Sequence, residues 1–246
     1  MKLDGVILLA AYTLRSRAYA QALVAAGMEP DAVLMFGNAD QDMPRDIPEN
    51  PRQTGALPYF VPDFREGLAE TCERETWNVI RTEAEHVNDP AIVRTVSGLQ
   101  PKLVIYSGYG GQLVGSELLM LDIPILHCHA GWLPDFRGST TIYYSALTER
   151  SCAVTAFLLS AGIDTGPIIA QKKYPLPGAG IDMDNIYDNA IRADILADVL
   201  RAYAASETSL DMAPQRSSGR EYFVIHPVLK HVAILSLTPE GAVRKD

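Results

Sequence analysis

The sequence predicts an α/β fold: a doubly wound domain with a mixed, mostly parallel sheet and a small C-terminal appendage of helix and β-hairpin. Short, continuous apolar runs, typical of strands that are buried on both faces, alternate along the chain with segments of helical periodicity. The first such unit covers residues 6–36 as strand, helix and strand with short connections, which indicates a right-handed parallel crossover.

In the first part of the chain, each element is bounded by residues that end it. Residues 6–10 and 32–36 are apolar runs and predict strands, and residues 16–26 have a helical pattern that Gly27 ends. Residues 37–63 are rich in Asp, Asn, Pro and Gly without a sustained period, which predicts a long loop beside a pocket.

The middle of the chain continues the alternation of strands and helices. A short strand is expected near residues 77–80, and Asn88-Asp89-Pro90 predicts a helix to residue 97 because it places an N-cap before a proline. Further strands are expected at residues 102–107, 124–129, 152–159 and 168–174, with a further helix at residues 140–149.

The C-terminal part begins with a long amphipathic helix, expected at residues 182–205 with Asp182 as its N-cap. Residues 206–219 are polar and predict a linker. Short apolar runs at residues 221–225 and 231–237 predict the terminal hairpin. The domain division is therefore residues 1–205 as the main domain, which carries the site, and residues 206–246 as linker and appendage.

The composition fits a soluble protein with a sizeable core, because the 246 residues are 48% hydrophobic and 21% charged. The net charge of −9 argues against broad nucleic-acid binding, which needs a dense basic surface. Three cysteines without a CxxC pair are typical of a reducing cytoplasm. The apolar run at residues 5–12 is too short for a membrane span or a signal peptide. We therefore expect a cytoplasmic protein without nucleic-acid or membrane partners.

Two histidines and an aspartate are the most informative residues for chemistry. His127 and His129 are two residues apart at the end of a predicted strand, so they project to the same side, whereas Cys128 points into the opposite packing layer. Open α/β sheets bind ligands at this end of their strands. Asp164 lies in a turn between two glycines, and a carboxylate beside an imidazole favours its charged form and orients it. These residues could form an acid–base site.

Three segments around these residues carry a resemblance to a known family. They read Leu133-Pro134-Asp135-Phe136-Arg137-Gly138, then Asp164-Thr165-Gly166-Pro167-Ile168-Ile169 with Gln171, and, before both, Gln100-Pro101-Lys102-Leu103-Val104-Ile105 with Ser107-Gly108-Tyr109-Gly110. Together they resemble the formyltransferases that use 10-formyltetrahydrofolate. That family includes glycinamide ribonucleotide formyltransferase, the catalytic domain of methionyl-tRNA formyltransferase and the sugar N-formyltransferases. The similarity is good over residues 85–175.

The resemblance implies a formyltransferase-like variant of the Rossmann fold that transfers a formyl group from 10-formyltetrahydrofolate to an amine, with no metal. His129 falls on the family's catalytic histidine and Asp164 on its catalytic aspartate. A charged His129 would stabilise the oxyanion, and Asp164 would hold that charge. The residues that the resemblance assigns to folate binding are Gly108, Tyr109, Gly110, Gln112, Leu113, Val114, Ala161, Gly162 and Ile163.

His127 departs from the family, which has asparagine at this position. An asparagine amide donates a hydrogen bond to the oxyanion without titrating, whereas the tautomer and charge of an imidazole depend on pH. Losing one such donor typically lowers the rate by roughly two to three orders of magnitude. We interpret His127 as a working substitute with a catalytic role, because the loop, His129 and Asp164 are all present.

The expected acceptor is a primary amine on a small metabolite, and the candidate substrate-binding residues are Thr13, Arg15, Ser16, Arg17, Arg137 and Gly138. The first four lie where a helix N-terminus and two arginines attract anions. The ribonucleotide members of the family bind substrate phosphate in this region, but their glycine-serine-asparagine loop is absent here. By elimination, a nucleotide-linked amino sugar fits best. A homodimer is one expected oligomeric state.

Two other classes of function stay open at this point. His127, His129 and Asp164 could form a three-ligand zinc site in a metal-dependent hydrolase, although no further ligand cluster follows in the sequence. A non-catalytic folate-binding or nucleotide-binding relative could retain the same motifs. Measuring bound metal would distinguish a metal-dependent hydrolase from a formyltransferase, and measuring turnover would distinguish a non-catalytic relative from an enzyme.

Overall fold

The structure is a computed structural model that describes residues 1–43, 59–178, 180–206, 209–216 and 219–237. Its strands are β1 (Lys2–Ala11), β2 (Glu29–Phe36), β3 (Val79–Arg81), β4 (Leu103–Ser107), β5 (Ile125–His129), β6 (Phe136–Gly138), β7 (Cys152–Leu158), β8 (Ile168–Tyr174) and β9 (Arg220–Tyr222). Its helices are α1 (Leu14–Ala25), α2 (Leu68–Arg74), α3 (Pro90–Leu99), α4 (Ser116–Leu119), α5 (Thr141–Glu149), α6 (Asp188–Ala205) and α7 (Pro227–Leu235). A 3-10 turn at Ala39–Asp42 follows β2, and a π-helical turn at Met183–Tyr187 precedes α6.

Seven strands form one mixed sheet in the order β3-β2-β1-β4-β5-β7-β8. The pairs among β1 to β5 are parallel, whereas β7 runs antiparallel to both β5 and β8. The predicted doubly wound α/β fold is therefore confirmed. The strand order reverses between β1 and β4, and open sheets of this kind bind ligands outside the carboxyl ends of the strands at that point.

Alternate residues of β1 enter the two layers that cover the sheet. Val6 and Leu8 pack into the layer that contains α1, α5 and α6. Ile7 and Leu9 pack into the layer that contains α3 and α4. All four side chains are buried, which explains why this strand is a continuous apolar run rather than an alternating one.

The predicted helix starts are present, with one change. Asp89 accepts a hydrogen bond from Ala91 N and caps α3, as expected. Asp182 accepts hydrogen bonds from the backbone at residues 184 and 185, but the helical segment that it caps opens with the π-helical turn before α6. Of the loop predicted at residues 37–63, residues 44–58 lie outside the described residues.

The predicted terminal hairpin is wrong. β9 pairs in parallel with β6, and most of the apolar run at residues 231–237 belongs to α7. His226 accepts a hydrogen bond from Val228 N and Pro227 occupies the first turn, so the chain begins a helix there instead of a strand. The domain division at residue 205 stays a prediction. Within the described ranges, no helix is both long and apolar enough to cross a membrane.

Candidate active site

β5 brings the two histidines to one side of the sheet, as the strand period predicts. Both His127 and His129 line a cavity of about 630 Å³. Cys128, between them, packs into the opposite layer, and burial raises the pKa of its thiol to about 12. At neutral pH this thiol is therefore protonated and is not a nucleophile.

His129 is buried, and both of its ring nitrogens face protein groups. Nε2 donates to the carbonyl oxygen of Phe136 at 2.7 Å, and Nδ1 lies 3.4 Å from Asp164 Oδ2. Burial lowers the pKa of His129, and the Asp164 carboxylate opposes that effect. Because Nε2 must keep its proton to donate to a carbonyl, the ring gains and loses its second proton at Nδ1, beside Asp164.

The loop after β5 fixes the orientation of this imidazole. A Cβ on Gly131 would lie 2.5 Å from the Phe136 carbonyl oxygen and 2.7 Å from His129 Nε2, so only glycine allows this approach. The hydroxyl of Thr141 donates to the Ala130 carbonyl oxygen, and its oxygen lies 3.3 Å from His129 Nε2. The histidine ring is thus held from two sides before any ligand binds.

Asp164 lies in the connection between β7 and β8 with a φ of 51°, in the left-handed region. Its Oδ2 accepts a hydrogen bond from Gly138 N at 2.8 Å. A Cβ on Gly166 would lie 1.7 Å from the carbonyl oxygen of Leu158, so the turn depends on that glycine. The turn predicted from the sequence therefore places the carboxylate beside His129.

A glutamine from the C-terminal segment holds the same turn. Gln215 Nε2 donates to the carbonyl oxygens of Asp164 at 2.9 Å and Gly166 at 2.7 Å. Its Oε1 accepts a hydrogen bond from Arg137 Nη2 at 3.1 Å. Sequence reasoning missed Gln215, because the polar stretch around it has neither a period nor a motif.

His127 lies between two aromatic rings, those of Tyr106 and Phe157, each with its centroid 5.8 Å away. Its Nδ1 is buried and has no hydrogen-bond partner among the described residues. Burial, and after it the positive charges of Arg15 and Arg192, hold the pKa of His127 well below its usual 6.5. The imidazole is therefore neutral at pH 7, with one donor and one acceptor nitrogen.

Two arginines reach the cavity, one from α1 and one from α6. Arg192 Nε binds both carboxylate oxygens of Asp188, at 3.0 and 2.9 Å, and its Nη1 donates to the carbonyl oxygen of Cys128. Arg15 Nε is buried without a hydrogen-bond partner in the described parts of the chain. Sequence reasoning missed Arg192, because an aspartate and an arginine four residues apart are an ordinary pair on a helix surface.

Among the four N-terminal candidates, Arg15 is the one that lines the large cavity. Thr13 caps α1 by accepting a hydrogen bond from Ser16 N at 3.2 Å. The hydroxyl of Ser16 donates to the Ser107 carbonyl oxygen at 3.1 Å, which ties α1 to the end of β4. Thr13 and Ser16 thus hold local structure, and substrate binding by them stays a prediction.

Arg17 and Arg137 are held by the protein itself. Arg17 is 1% exposed, pairs with Asp42 Oδ1 at 3.2 Å and donates to the Phe64 carbonyl oxygen at 2.8 Å. Arg137 reaches Gln215 and lies outside the large cavity, whereas Gly138 lines it. Both arginines support loops near the site, and ligand contact by them stays a prediction.

Nearly all the residues assigned to folate binding line one cavity. They are Tyr109, Gly110, Gln112, Leu113, Val114, Ala161, Gly162 and Ile163. Gly108 lines an adjoining cleft of about 280 Å³. Leu113 and Ile163 are 62% and 43% exposed, which leaves apolar surface for a ligand. Gln112 also holds its own loop, since its Nε2 donates to the Glu85 carbonyl oxygen at 3.2 Å.

The structure gives no support to a metal-dependent hydrolase. In the part of the chain that is described, no group of three His, Cys, Asp or Glu side chains could hold a metal ion. His127, His129 and Asp164 therefore do not form the three-ligand set that such a zinc site needs.

Sequence comparison identifies relatives over most of the chain. A family model described as formyl transferase matches residues 17–192. Methionyl-tRNA formyltransferase from Chloroflexus aurantiacus is 30% identical over 202 residues, which cover 80% of this chain and 58% of that protein. The chain therefore spans less than two thirds of the length of this curated relative.

Solved structures of formyltransferases share the fold. A 4-N formyltransferase from Francisella tularensis superposes with a TM-score of 0.58 at 12% identity, covering 95% of this chain and 86% of that one. Glycinamide ribonucleotide transformylase 1 from Symbiobacterium toebii superposes with a TM-score of 0.57 at 18% identity, covering 86% of this chain and 93% of that one. Since the family model also covers residues 17–192, the chain belongs to the formyl transferase family.

Proposed function

We propose that this protein is an N-formyltransferase that moves a formyl group from 10-formyltetrahydrofolate to a primary amine of a small metabolite. The observation that carries the proposal is the contact between His129 Nδ1 and Asp164 Oδ2, 3.4 Å apart beside a cavity of about 630 Å³. Membership of the formyl transferase family supports the reaction class.

The cavity suits the rings of a folate, whose faces can pack against apolar side chains while their polar edges form hydrogen bonds. The exposed side chains of Leu113 and Ile163 offer apolar surface, and the backbone at Gly110 and Gly162 can approach a ligand closely. When bound, the donor supplies the formyl carbon. The amine nitrogen forms a bond to that carbon and loses one proton, and the bond from the carbon to the folate nitrogen breaks while that nitrogen gains one proton.

His129 can move the proton in this exchange, as a neutral ring rather than as the charged ring that the resemblance implies, because burial lowers its pKa. Burial lowers its pKa, so Nδ1 is free of a proton in the resting protein and can accept the proton that the attacking amine loses. Asp164 then stabilises the imidazolium through Oδ2. Nδ1 can afterwards return the proton to the leaving nitrogen, so His129 and Asp164 end the cycle as they began.

His127 can supply a hydrogen bond to the formyl oxygen as negative charge develops there. Because the pKa of His127 lies well below 6.5, the ring stays neutral and keeps one N–H across the physiological pH range. A neutral imidazole with a fixed charge state is a fair substitute for an amide donor. This is the reason why we retain His127 as a catalytic residue.

For the acceptor, we retain a small-molecule amine, with a nucleotide-linked amino sugar as the first candidate. A sugar N-formyltransferase from Shewanella superposes with a TM-score of 0.54 at 18% identity, covering 94% of this chain and 86% of that one. The acidic net charge of −9 supports a small acceptor over a nucleic acid. A cytoplasmic location and a homodimer are part of the same proposal.

A screen with mass spectrometry tests this function. The wild-type protein is incubated with 10-formyltetrahydrofolate and a panel of amino sugars, amino acids and nucleotide-linked amino sugars. We expect an N-formyl product from at least one amine, and 10-formyltetrahydrofolate should raise the melting temperature. Donor binding without any turnover would favour a non-catalytic folate-binding relative, and the absence of both would overturn the proposal.

A further inference from the structure

We propose that a second cleft, beside residues 132–138, binds a zwitterion with an apolar side chain, such as an amino acid, and that the bound ligand acts on His129 through this segment. The cleft has a volume of about 600 Å³, and α5, β8 and β9 contribute to its walls. Of the described residues, Tyr222 alone lines both this cleft and the candidate active site. The proposed formyl transfer does not use the cleft, so it is a further site.

Aromatic side chains give the cleft its apolar surface. Trp132, Phe136 and Tyr222 all line it. The rings of Phe136 and Tyr222 stack with their centroids 5.3 Å apart, and Lys173 Nζ lies 5.2 Å from the centroid of the Trp132 ring. Aromatic faces bind flat or apolar groups by packing and bind cations through the charge distribution of the ring. The cleft therefore offers surface for the apolar side chain of a ligand.

Four charged side chains of the cleft form no ion pair within the described parts of the chain. They are Asp135, Glu149, Lys173 and Arg220, and all four are exposed. A simple anion at the cleft would meet two carboxylates, and a simple cation would meet two basic groups. A zwitterion places its carboxylate against Lys173 and Arg220 and its ammonium against the acids. Charge complementarity therefore favours a ligand with both charges.

Hydroxyl groups of α5 can orient the ammonium of such a ligand. Ser145 and Thr148 lie three residues apart, on the same face of the helix. Ser145 Oγ donates to the Ile142 carbonyl oxygen at 3.1 Å, and Thr148 Oγ1 donates to the Tyr144 carbonyl oxygen at 2.9 Å. Because each hydroxyl donates its proton within the helix, its oxygen can accept from an ammonium group. The ammonium therefore fits beside α5, where Glu149 supplies the counter-charge.

The segment that lines the cleft also holds the candidate catalytic pair. The Phe136 carbonyl oxygen accepts from His129 Nε2 at 2.7 Å, while the same residue lines the cleft. Two residues later, Gly138 N donates to Asp164 Oδ2 at 2.8 Å. A ligand packed on Phe136 thus acts on the residue whose carbonyl orients the imidazole, and small displacements at a reacting centre change its rate.

β9 connects the charged side of the cleft to the same segment. Arg220 pairs with Phe136 in the two-stranded sheet. A Cβ on Gly219 would lie 2.0 Å from the Pro134 carbonyl oxygen, so the backbone of β9 approaches the segment closely just before Arg220. A ligand carboxylate on Arg220 therefore acts on the strand that is paired with residues 136–138.

Tryptophan fluorescence measures binding at the cleft, because Trp132 lines it and the other tryptophan, Trp77, lies in the core. The probes are L-phenylalanine and L-leucine. Two analogues of L-phenylalanine each lack one charge: 3-phenylpropionate lacks the ammonium, and 2-phenylethylamine lacks the carboxylate. We expect L-phenylalanine to bind at least about fivefold more tightly than either analogue, since one partly exposed charge pair has an effect of this size. Trp132→Phe should abolish the fluorescence change.

Two variants remove one charge of each sign from the cleft, Arg220→Gln and Glu149→Gln. Arg94→Gln and Glu83→Gln are the matched controls, because they remove exposed charges that do not line it. We expect each cleft variant to bind L-phenylalanine about fivefold more weakly or worse, and each control to bind it as wild type does. Arg220→Gln should leave 2-phenylethylamine binding unchanged, and Glu149→Gln should leave 3-phenylpropionate binding unchanged.

Three results would overturn the site. They are no binding of either amino acid, tighter binding of a single-charge analogue, and equal binding of L-phenylalanine by wild type and both cleft variants. Both variants should fold as wild type does, since neither charged group has an ion-pair partner among the described residues to lose. Circular dichroism and the melting temperature check the fold directly.

The imidazole of His129 reports the link to the catalytic pair without any turnover. Its Nε2 proton, which is donated to Phe136, gives an NMR signal that His129→Asn identifies. We expect L-phenylalanine to shift this signal in wild type and Arg94→Gln, and to shift it less in Arg220→Gln at the same concentration. For any amine that the protein formylates, kcat should change at least about fivefold, as coupled sites typically show. Binding with an unchanged signal or an unchanged kcat would overturn the link.

The same measurements separate this site from the proposed function. If L-phenylalanine binds and shifts the His129 signal but no amine is formylated, the formyltransferase proposal fails and the site stands. If amines are formylated and no ligand binds at the cleft, the site fails alone.

Discussion

Replacing Gln215 with alanine is expected to loosen the turn that carries Asp164. The glutamine amide donates to two carbonyl oxygens of that turn, at 2.9 and 2.7 Å, and both groups are part-buried. Removing the amide also releases Arg137 Nη2, which donates to Oε1 in the native chain. Asp164 has a left-handed backbone, so its turn depends on contacts of this kind to stay in place.

The magnitude follows from those two hydrogen bonds. Each contributes about 0.5–1.5 kcal/mol net, so the upper limit of the loss is about 3 kcal/mol. Because water can reach part-buried carbonyl groups and replace the lost donor, we expect a loss near 1 kcal/mol in the free energy of unfolding. A displaced carboxylate holds His129 less well, and we expect kcat to fall roughly 10- to 100-fold, since small displacements at a reacting centre have effects of this size.

The assay measures kcat, KM for 10-formyltetrahydrofolate and urea unfolding for Gln215→Ala and Gln215→Glu. The glutamate variant keeps an acceptor for Arg137 but cannot donate to the turn, so it should lose kcat at least as much. Gln112→Ala is the matched control, because Gln112 holds the other loop through Val87 N and the Glu85 carbonyl oxygen. We expect the control mainly to raise KM for the donor.

Retention of kcat within about twofold in Gln215→Ala, with a loss of unfolding free energy of about 1 kcal/mol, would contradict a positioning role for Gln215. The glutamine would then stabilise the C-terminal segment without positioning Asp164. A fall in kcat that appears equally in Gln112→Ala would also contradict it, because the two amides hold different loops.

Further predictions concern the histidines, the carboxylate and the turn. The folded-state pKa of His127 lies well below 6.5, so below pH 6.5 the unfolded chain binds a proton that the folded chain does not. The unfolding free energy should therefore fall by up to about 1.4 kcal/mol for each pH unit below 6.5. His127→Asn should flatten that slope in urea titrations at several pH values. Because the pKa of His129 is lowered, kcat/KM should decline on the acid side with a midpoint below 6.5, and a midpoint above 7 would exclude a neutral His129 as proton acceptor. Asp164→Asn should lower kcat by roughly a hundredfold or more with the circular dichroism spectrum unchanged, and full activity would remove Asp164 from the mechanism. Gly166→Ala should lower the melting temperature by several degrees, since a Cβ would meet the Leu158 carbonyl oxygen at 1.7 Å; an unchanged melting temperature would show that the turn can relax.

The parts of the site that follow from local pattern could be predicted from the sequence. The side chains of His127 and His129 share one face because the strand period is two, and that holds wherever β5 lies in the sheet. Asp164 could be placed in a tight turn because glycines bound it, and Gly166 indeed admits no Cβ. The folded chain then brings His129 Nδ1 to within 3.4 Å of Asp164 Oδ2, as the resemblance to the formyltransferases implies.

The parts that depend on contacts distant in sequence could not be predicted. β9 is three residues long and forms because β6 offers it a partner, so no local signal separates it from a hairpin. The roles of Gln215 and Arg192 depend on tertiary contacts. Gln215 donates to the backbone at Asp164, and Arg192 lines the cavity. For Arg17, the sequence position predicted ligand binding, but its guanidinium pairs with Asp42 and donates to the Phe64 carbonyl oxygen.

Transfer of an isotopically labelled formyl group shows directly whether this protein moves a formyl group from the folate to an amine. Wild-type protein is supplied with 10-formyltetrahydrofolate labelled with carbon-13 in the formyl group, together with the best amine from the screen, and the products are followed by NMR and mass spectrometry. We expect the label to appear as an N-formyl group on the amine, with tetrahydrofolate released in equal amount. Label that stays on the folate, or that appears on the amine at the same rate without protein, would contradict it.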